Sequence, residues 1–344
     1  MYDLELLDLN RFNLIVGKNN SGKTNLLEAL FIHSCKRNVP SFLSPFVSRP
    51  LSGSIFESFW QYLFSNANVS EPIILSGETE TQRWSIEVTE EKKTLSKVLP
   101  SMIEQLKFAD THPQTLSIKL SFENFETKEK SEDEYFMTMI PGAHQPILSK
   151  DPVSSDINCT FVPPYLTNEW KQRWFWPNLE DIFKLKMETK LIEVLKVIEP
   201  KLEDFQLARD DLYVGIKDIS ARLPIGQVGN GLIVVLVKTL AILKSQKGVV
   251  LIDEFENGLH HSALKKIWEI FKELARKLDV QIVAMTHSLE CLKAAYEVFS
   301  NDTVFDFSLY RLEQVGKKNR VIRYDGESFQ ISIQISIEQD LEVR

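Results

Sequence analysis

An eight-residue segment near the start of the chain constrains the fold more than any other feature of the sequence. It follows the phosphate-loop pattern at every fixed position: Gly17-Lys18-Asn19-Asn20-Ser21-Gly22-Lys23-Thr24. The apolar run 12–16 stops at its first glycine, and apolar residues spaced three or four apart follow its lysine. This context predicts a buried strand, a loop and a helix, the setting in which the pattern holds phosphate groups. A chance loop is the alternative interpretation.

Each fixed position of the pattern has a chemical reason. Gly17 and Gly22 allow backbone N–H groups to wrap a phosphate, and the N-terminus of the following helix adds its dipole. Lys23 is expected to neutralise β- and γ-phosphate oxygens, and the Thr24 hydroxyl is expected to ligate Mg²⁺. The other residues predicted to contact nucleotide are Asn19, Asn20, Ser21 and Asn25.

A second predicted strand ends in two carboxylates. Residues 249–252 are apolar, and Asp253 and Glu254 follow them directly. Both acids are therefore expected at the C-terminal edge of a parallel strand, beside the phosphate loop. Asp253 is expected to hold Mg²⁺ through its water shell, and Glu254 to polarise the attacking water as a general base. Carboxylates that cap a helix are the alternative.

Two further motifs are expected to bind phosphate groups. His287 follows the strand predicted at 280–285, where its side chain could sense a γ-phosphate; a core histidine is the alternative. The segment Gly229-Asn230-Gly231 opens a predicted helix, and two glycines at a helix N-terminus form a second anion site. A helix-capping turn is the alternative for these glycines.

The remaining segments predict an α/β order with an insertion. Helices are predicted at 179–201, 232–243, 262–278 and 289–299, and further strands at 159–162, 212–217, 221–223, 248–253, 305–312 and 320–324. Prolines and alternating residues over 35–155 predict an antiparallel β insertion. Its strands are expected at 73–78, 83–89, 115–122 and 135–140, its helices near 55–64 and 95–108, and a solvated hairpin tip at 123–134.

Composition excludes several classes of protein. Hydrophobic residues make up 43% and charged residues 26%, as in ordinary globular domains. The longest apolar stretch, 232–243, contains Lys238 and falls short of the roughly 20 residues of a membrane span. No membrane helix or secretion signal is predicted, which favours the cytoplasm. The net charge of −8 argues against a dominant nucleic-acid surface. Cys35, Cys159 and Cys291 lack disulfide or zinc spacing and are expected to be reduced and mostly buried.

Three groups of residues together carry a family resemblance. They are Asn13-Leu14-Ile15-Val16-Gly17 through Leu26-Leu27-Glu28-Ala29, then Leu251-Ile252-Asp253-Glu254-Phe255-Glu256-Asn257-Gly258-Leu259-His260, and Thr286-His287-Ser288. The chain resembles the ABC-type AAA-family ATPases of the RecF/SMC and OLD-like group, in particular stand-alone prokaryotic ATP-binding proteins often found in anti-phage defence. The resemblance implies an α/β P-loop NTPase fold of ABC ATPase type. It implies an ATPase domain over 1–34 and 156–344 with a helical lobe at about 165–230, and a β-rich insertion over 35–155 within the nucleotide-binding lobe.

The resemblance also implies ligands, partners and roles. It implies ATP and Mg²⁺, and a homodimer or higher homo-oligomer whose subunits sandwich the nucleotide. In that dimer the residues acting in cis would be Lys23, Thr24, Asp253, Glu254 and His287, with Gly229 and Gly231 supplied in trans. The ATP-driven clamp is expected to regulate a separate effector, a nuclease or toxin, with DNA or a phage product as trigger. A scaffold that binds ATP without hydrolysing it and a RecF-like DNA-repair clamp are the alternatives.

The sequence departs from the family pattern at three places. Only residues 1–16 precede the loop, so adenine recognition by Tyr2 or Arg11 is not supported. Residues 161–164 lack the glutamine expected in that family, and the glycine motif lacks the serine and final glutamine of transporter ATPases. The segment after His287 is too short for a Toprim nuclease, so any second activity is expected from another polypeptide.

Two clusters admit more than one interpretation. The aromatic residues Trp170, Trp174, Phe175 and Trp176, with Lys171 and Arg173 between them, could stack nucleic-acid bases. Packing in a core or a protein interface is the favoured interpretation. The pair His260-His261 has poor spacing for a metal. The resemblance instead implies that Asn257-Gly258-Leu259 is a dimer-contact loop.

Overall fold

The described part of the chain divides into two units. The structure is a computed structural model. It describes residues 4–6, 8–35, 39, 42, 64, 68–91, 114–139, 147–150, 158–208, 211–300, 302–316, 318–324, 326 and 328. The described residues within Met1–Glu28 and Ile157–Arg344 form one unit, and those within Ala29–Phe46 and Pro50–Asp156 form the other. Tyr2 and the helices predicted near 55–64 and 95–108 lie outside the described residues, apart from position 64.

The strands and helices are numbered separately in chain order. The strands are β1 (Phe12–Gly17), β2 (Ile73–Glu78), β3 (Gln82–Glu91), β4 (Gln114–Asn124), β5 (Lys130–Met139), β6 (Ile147–Leu148), β7 (Cys159–Val162), β8 (Leu202–Ala208), β9 (Asp211–Ile216), β10 (Leu223–Pro224), β11 (Val249–Ile252), β12 (Gln281–Met285), β13 (Phe307–Val315) and β14 (Lys318–Tyr324). The helices are α1 (Lys23–Ser34), α2 (Asn168–Trp170), α3 (Trp176–Lys184), α4 (Glu188–Leu195), α5 (Ile225–Val228), α6 (Asn230–Lys244), α7 (His261–Leu278) and α8 (Leu289–Phe299), with a π-helical turn (Lys171–Phe175) between α2 and α3.

A six-stranded sheet forms the centre of the first unit. Its order is β14-β13-β1-β12-β11-β7. Five of these strands are parallel, and β14 pairs antiparallel with β13 at one edge. The apolar strands β1, β11 and β12 are buried along almost their whole length, as expected for parallel strands covered on both faces.

Helix α7 shows how the sequence directs packing onto this sheet. Its buried residues recur every three or four positions and therefore share one face: Leu264, Ile267, Trp268, Phe271 and Ala275. That helix packs against α6 and α8. It ends at Asp279, whose left-handed backbone (φ 55°) stops the helix directly before β12.

The segment predicted as one helix over 179–201 is divided, so that prediction is wrong in detail. Helix α3 ends at Lys184, the backbone turns through a positive φ of 54° at Lys186, and α4 begins at Glu188. Strand β8, which the sequence analysis missed, follows and pairs with β9 in a three-stranded antiparallel sheet with β10. The predicted helical lobe therefore also contains a small sheet.

The second unit contains an antiparallel sheet in the order β2-β3-β4-β5-β6. Alternate residues of β3 are buried, including Trp84, Ile86 and Val88, as period-two patterning requires. Strands β4 and β5 extend into the run predicted as a solvated tip, so the turn itself is confined to 125–129. The predicted fold class, an α/β P-loop fold with an antiparallel insertion and helices, is confirmed.

Two further predictions concern membranes and cysteines. In the part of the chain that the structure describes, no helix combines the length and apolar character that a bilayer crossing requires. Cys35, Cys159 and Cys291, all in the described part of the chain, form no disulfide, and the first and last are buried.

Candidate functional site

The predicted site residues follow strands that end at one edge of the central sheet. In the register of the sheet, Ile252 lies opposite both Val162 and Ala284, and Ile15 lies opposite Met285. The carboxyl ends of β1, β7, β11 and β12 are therefore level. Ligands of open α/β sheets bind in the crevice outside these ends. The phosphate loop, the acidic pair and His287 all begin there.

The phosphate loop needs its glycines for conformation and for space. Gly22 has a φ of 91° and Asn20 a φ of 62°, both in the left-handed region that Gly and Asn tolerate best. A Cβ atom on Gly17 would collide with the carbonyl oxygen of Leu312 in β13. The loop is therefore held closely against a neighbouring strand as it leaves β1.

Lys23 is buried and closes the loop on itself. The residue is 4% exposed, and Nζ donates hydrogen bonds to the carbonyls of Gly17 at 2.7 Å and Lys18 at 2.8 Å. Burial lowers the pKa of Lys23 to about 8, and the nearby charge of Asp253 opposes that shift. The ammonium group therefore lies in the loop beside the acidic end of β11.

Asp253 connects the acidic strand end to the phosphate loop. The Thr24 side chain lies close enough to the Asp253 carboxyl to act against the rise in its pKa, and Asp253 is 4% exposed. Burial raises the pKa of Asp253 to about 6, and the charges of Glu254 and the buried Glu28 add to the shift. Burial makes the ionised form of Asp253 costly, and a cation beside the carboxylate would compensate its charge.

The donors at this point fit Mg²⁺. The Thr24 hydroxyl and the Asp253 carboxylate supply oxygen ligands, which Mg²⁺ prefers, and they already contact each other. Among the described residues no group of three or more His, Cys, Asp or Glu side chains could hold a metal by itself. Mg²⁺ is commonly bound by one or two protein oxygens together with substrate phosphates and water.

The raised pKa of Asp253 predicts a pH-dependent stability in the nucleotide-free protein. The folded protein binds a proton at the Asp253 carboxyl more tightly than the unfolded chain does. The free energy of unfolding therefore falls as the pH rises from about 4 to about 6. Asp253→Asn removes this loss. In EDTA at pH 7.5 the variant should be more stable than wild type by on the order of 1–2 kcal/mol, and the difference should shrink towards pH 4.

Thermal unfolding at the two pH values measures this effect, and Asp302→Asn serves as a control of opposite sign. Hydrogen bonds from Lys272 and Arg276 hold the pKa of Asp302 below its usual range. The ionised Asp302 stabilises the folded protein at pH values above the pKa of this carboxyl in the unfolded chain. Asp302→Asn should therefore be less stable than wild type at pH 7.5. A loss of stability in Asp253→Asn at pH 7.5 would contradict the assignment of Asp253 as a costly buried charge.

Glu254 follows Asp253 with an unusual backbone. Its φ of 50° lies in the left-handed region, where a residue with a Cβ atom is strained. The residue is only partly buried. Burial raises the pKa of its carboxyl, and the charge of Glu256 raises it further. A carboxylate with a raised pKa at the mouth of a phosphate site can accept a proton from water.

Glu256 positions the segment that carries His287, a role the sequence analysis did not assign. Its carboxylate accepts hydrogen bonds from the Thr286 hydroxyl at 2.7 Å and from the backbone N–H of His287 at 2.9 Å. These bonds connect the turn after β11 to the end of β12. Glu256 stands out in the sequence as the third acid of the segment 253–256. Its partners Thr286 and His287 could not be predicted, because they lie about 30 residues further along the chain.

His287 lies at the predicted edge. Burial, followed by the charge of Lys23, lowers the pKa of His287, which favours the neutral imidazole. Two buried polar atoms here, Nδ1 of His287 and Oγ of Ser21, have no hydrogen-bond partner among the described residues. Unsatisfied buried polar atoms are uncommon, and at a phosphate loop they fit a ligand that completes them.

Asn319 is a second residue that sequence reasoning missed. It lies in β14, and its Nδ2 donates a hydrogen bond to the carbonyl of Ser21 at 2.8 Å. With this carbonyl held outside the loop, the loop N–H groups stay available for phosphate. No local motif marks Asn319, because the contact joins positions 298 residues apart.

This contact predicts that Asn319→Ala weakens nucleotide binding. One neutral hydrogen bond is worth about 1 kcal/mol, so the Kd for Mg-ATP should rise about threefold to tenfold. Titration with a fluorescent ATP analogue measures the change. Asn158→Ala removes a comparable amide contact to the carbonyl of Gln246 and should leave the Kd unchanged. Equal affinities in both variants would show that Asn319 does not organise the loop.

The glycine motif lies at the start of α6. Gly229 and Asn230 are exposed, and a Cβ atom on Gly229 would meet no atom within 4 Å. Gly231 lies against the chain instead, because its Cβ atom would stand 3.3 Å from the carbonyl oxygen of Gly258. The motif is therefore both the start of a 15-residue helix and an open surface.

Other candidates from the sequence lie in structural positions. Trp170 and Phe175 are buried, and Trp174 and Trp176 pack against the same core, which contradicts base stacking by the cluster. His260 caps α7 by accepting a hydrogen bond from the N–H of Ser262.

Arg11 and Asn257, which the sequence analysis considered for adenine recognition and for dimer contact, both form contacts within the chain. Arg11 forms an ion pair with Asp279 at 2.9 Å, at the end of β1 opposite the phosphate loop. In the predicted dimer-contact loop, Nδ2 of Asn257 donates to the carbonyl of Pro164 at 2.8 Å.

Comparison with known proteins gives two sequence matches. Residues 148–292 match a family model described as "AAA domain, putative AbiEii toxin, Type IV TA system". A protein of Helicobacter pylori (strain ATCC 700392 / 26695) is named "ATP/GTP phosphatase" and is 23% identical to this chain over an alignment of 352 positions. The alignment covers 93% of this chain and 91% of that protein.

Solved structures of SMC heads are also similar to the chain. The SmcHead bound to the C-winged helix domain of ScpA is 12% identical, with 93% of this chain and 92% of that chain covered and a TM-score of 0.45. The SMC head domain from Thermotoga maritima is 11% identical, with 93% of each chain covered and a TM-score of 0.43.

Proposed function

We propose that this chain is a Mg²⁺-dependent ATPase that hydrolyses ATP to ADP and phosphate. The position of Thr24 beside Asp253 carries the proposal, because it brings a phosphate loop to an acidic strand end. The match to an AAA-domain family model and the name of the Helicobacter pylori relative support the same activity. That relative is named for both ATP and GTP, so both nucleotides belong in the test.

The phosphate loop binds and orients the substrate in this proposal. Its backbone N–H groups and the N-terminus of α1 face the β-phosphate, and the Lys23 ammonium exchanges loop carbonyls for β- and γ-phosphate oxygens. Thr24 and Asp253 would hold Mg²⁺, which supplies charge neutralisation on the phosphate oxygens when bound. These groups position the γ-phosphorus for attack by water.

Glu254 and His287 act on the opposite side of the γ-phosphate. Glu254 accepts a proton from water as the water oxygen bonds to the γ-phosphorus and the bond to the bridging oxygen of ADP breaks. Burial favours neutral His287, whose ring nitrogen can contact a γ-phosphate oxygen. Glu256 holds the N–H of His287 and so fixes its position.

Nucleotide analysis tests the activity. Purified protein is incubated with Mg²⁺ and either ATP or GTP, and the products are separated by chromatography. ADP and phosphate in equal amounts, lost in EDTA, are the expected result. A protein that binds ATP but forms no ADP would instead fit the non-hydrolysing scaffold.

We further propose that two copies clamp two ATP molecules head to tail. The exposed Gly229 and Asn230 at the N-terminus of α6 support this, because open N–H groups there can meet the γ-phosphate bound by a partner copy. Mass photometry should then show dimers with a non-hydrolysable ATP analogue and monomers without it. Asn230→Arg, on the exposed surface beside Gly229, should block the dimer.

The output of the clamp is proposed to be regulation of a separate effector protein, a nuclease or toxin in anti-phage defence. The description of the matching family supports this assignment, since it refers to a toxin system. Co-expression with a candidate effector, a nuclease or a toxin, with and without DNA, tests it. Capture of the same effector by wild type and by a variant that cannot dimerise would contradict regulation by the clamp.

A further inference from the structure

A lysine is buried inside α6, a long and largely apolar helix. Lys238 lies in α6 and is 3% exposed, between neighbours that are themselves buried. An ammonium group removed from water is costly unless oxygen atoms or opposite charges surround it. The mechanism proposed above uses only the N-terminal glycines of this helix, so Lys238 needs an explanation of its own.

The contacts of Lys238 concentrate on the turn after β11. Its Nζ donates a hydrogen bond to the backbone carbonyl of Phe255 and lies 5.2 Å from the centroid of the ring of that residue. The carboxylates of Glu254 and Glu256 and the thiol of Cys291 are the ionisable groups that act on it. Lys238 also lines a small cavity together with Asp253 and Glu254.

This turn requires support because its backbone is strained. The φ of 50° at Glu254 is strained for a residue with a Cβ atom and persists only where the surroundings fix it. The Phe255 ring is fully buried and stacks on Trp268 with centroids 3.9 Å apart. The N–H of Phe255 donates to the carbonyl of Met285 at 2.8 Å. The N–H of Asn257 donates to the carbonyl of Glu254 at 3.0 Å, and Lys238 adds a restraint on the carbonyl of Phe255.

We infer that Lys238 is a positioning residue for the proposed hydrolysis: its ammonium group holds the Phe255 carbonyl and thereby fixes Glu254 in the orientation that accepts a proton from water. The inference rests on the proposed function, because Glu254 is the base in that proposal. It assigns to Lys238 an effect on turnover and no contact with nucleotide.

The same face of α6 also contacts the other end of the turn. Gly231, Val234 and Lys238 are spaced three and four residues apart and so lie on one side of the helix. A Cβ atom on Gly258 would lie 2.9 Å from Cγ2 of Val234, and Gly231 faces the Gly258 carbonyl. Helix α6 therefore contacts the turn after β11 at both Phe255 and Gly258.

Lys238→Met tests the inference, because it keeps an unbranched side chain of similar length and removes the charge and the donor. We expect kcat for ATP to fall about tenfold to a hundredfold, as for other misplaced catalytic groups, while the Kd for Mg-ATP stays within about twofold. The matched control is Lys272→Met. Lys272 also donates to a backbone carbonyl, of Val298 at 3.2 Å, and lies 5.7 Å from the ring of Phe299, but on α7. Its kcat should be unchanged.

The outcomes separate the inference from the proposed function. No turnover by wild type would overturn the proposed function itself. Turnover by wild type with an unchanged kcat in a folded Lys238→Met protein would overturn only the inference, as would an equal loss in kcat for Lys272→Met. Lys238→Gln provides a second variant. Failure of both Lys238 variants to fold where Lys272→Met folds would make Lys238 a structural residue and would also overturn the inference.

Discussion

Glu254→Gln is expected to lose ATP turnover by about a hundredfold to ten-thousandfold, the usual contribution of a general base. The substitution keeps the size of the side chain and one hydrogen-bonding oxygen, but glutamine cannot accept the proton of the attacking water. Phosphate release measures turnover. The Kd for Mg-ATP should stay within about threefold, because Lys23 and the loop N–H groups are untouched. Nucleotide-dependent dimers should also persist longer, since hydrolysis no longer reopens them.

Glu273→Gln is the matched control for this variant. Glu273 lies on α7 and is exposed, so the same chemical change there should leave kcat within error of wild type. Turnover by Glu254→Gln close to that of Glu273→Gln would remove Glu254 from the mechanism. The activity would then have to be attributed to another carboxylate or to a contaminating ATPase.

Lys23→Ala is expected to abolish nucleotide binding in practice. The Lys23 ammonium group is a buried positive charge in the phosphate loop, and it donates hydrogen bonds to the carbonyls of Gly17 and Lys18. Hydrogen bonds to charged groups are worth about 1.5–3 kcal/mol each, so losing the contacts to two phosphates should raise the Kd for Mg-ATP by more than about a hundredfold. Titration with a fluorescent analogue gives the value, and circular dichroism checks that the variant is folded.

Lys266→Ala controls for the loss of a lysine from the protein. Lys266 forms an exposed ion pair with Glu269 at 3.0 Å, and its removal should leave the Kd for Mg-ATP unchanged. If Lys23→Ala bound Mg-ATP as tightly as Lys266→Ala, the loop would not be the nucleotide site. The orphaned Ser21 hydroxyl would then need another explanation.

The sequence predicted those parts of the molecule whose signals are local. The pattern 17–24 placed the loop between β1 and α1, and the apolar run before Asp253 placed the acids at the end of β11. Helix α8 was predicted with its observed bounds, 289–299, and in the structure the Ser288 side chain caps it by accepting a hydrogen bond from the N–H of Cys291. Motif, burial and capping coincide in these segments.

Contacts between distant segments could not be predicted in the same way. Asn319 reaches Ser21, and Lys238 reaches Phe255, only because the sheet brings their strands and helices together. Lys238 did interrupt an apolar run, which signals a buried charge but does not identify its partner. The break between α3 and α4 was missed because apolar spacing continues across it while the backbone does not.

Phosphate release by the purified wild-type chain, followed with Mg-ATP and then after addition of EDTA, tests the central claim most directly. The account predicts steady release that stops when Mg²⁺ is removed, because Thr24 and Asp253 then have no cation to hold against the phosphates. Release that continues unchanged in EDTA, or no release by a protein that demonstrably binds ATP, would contradict it.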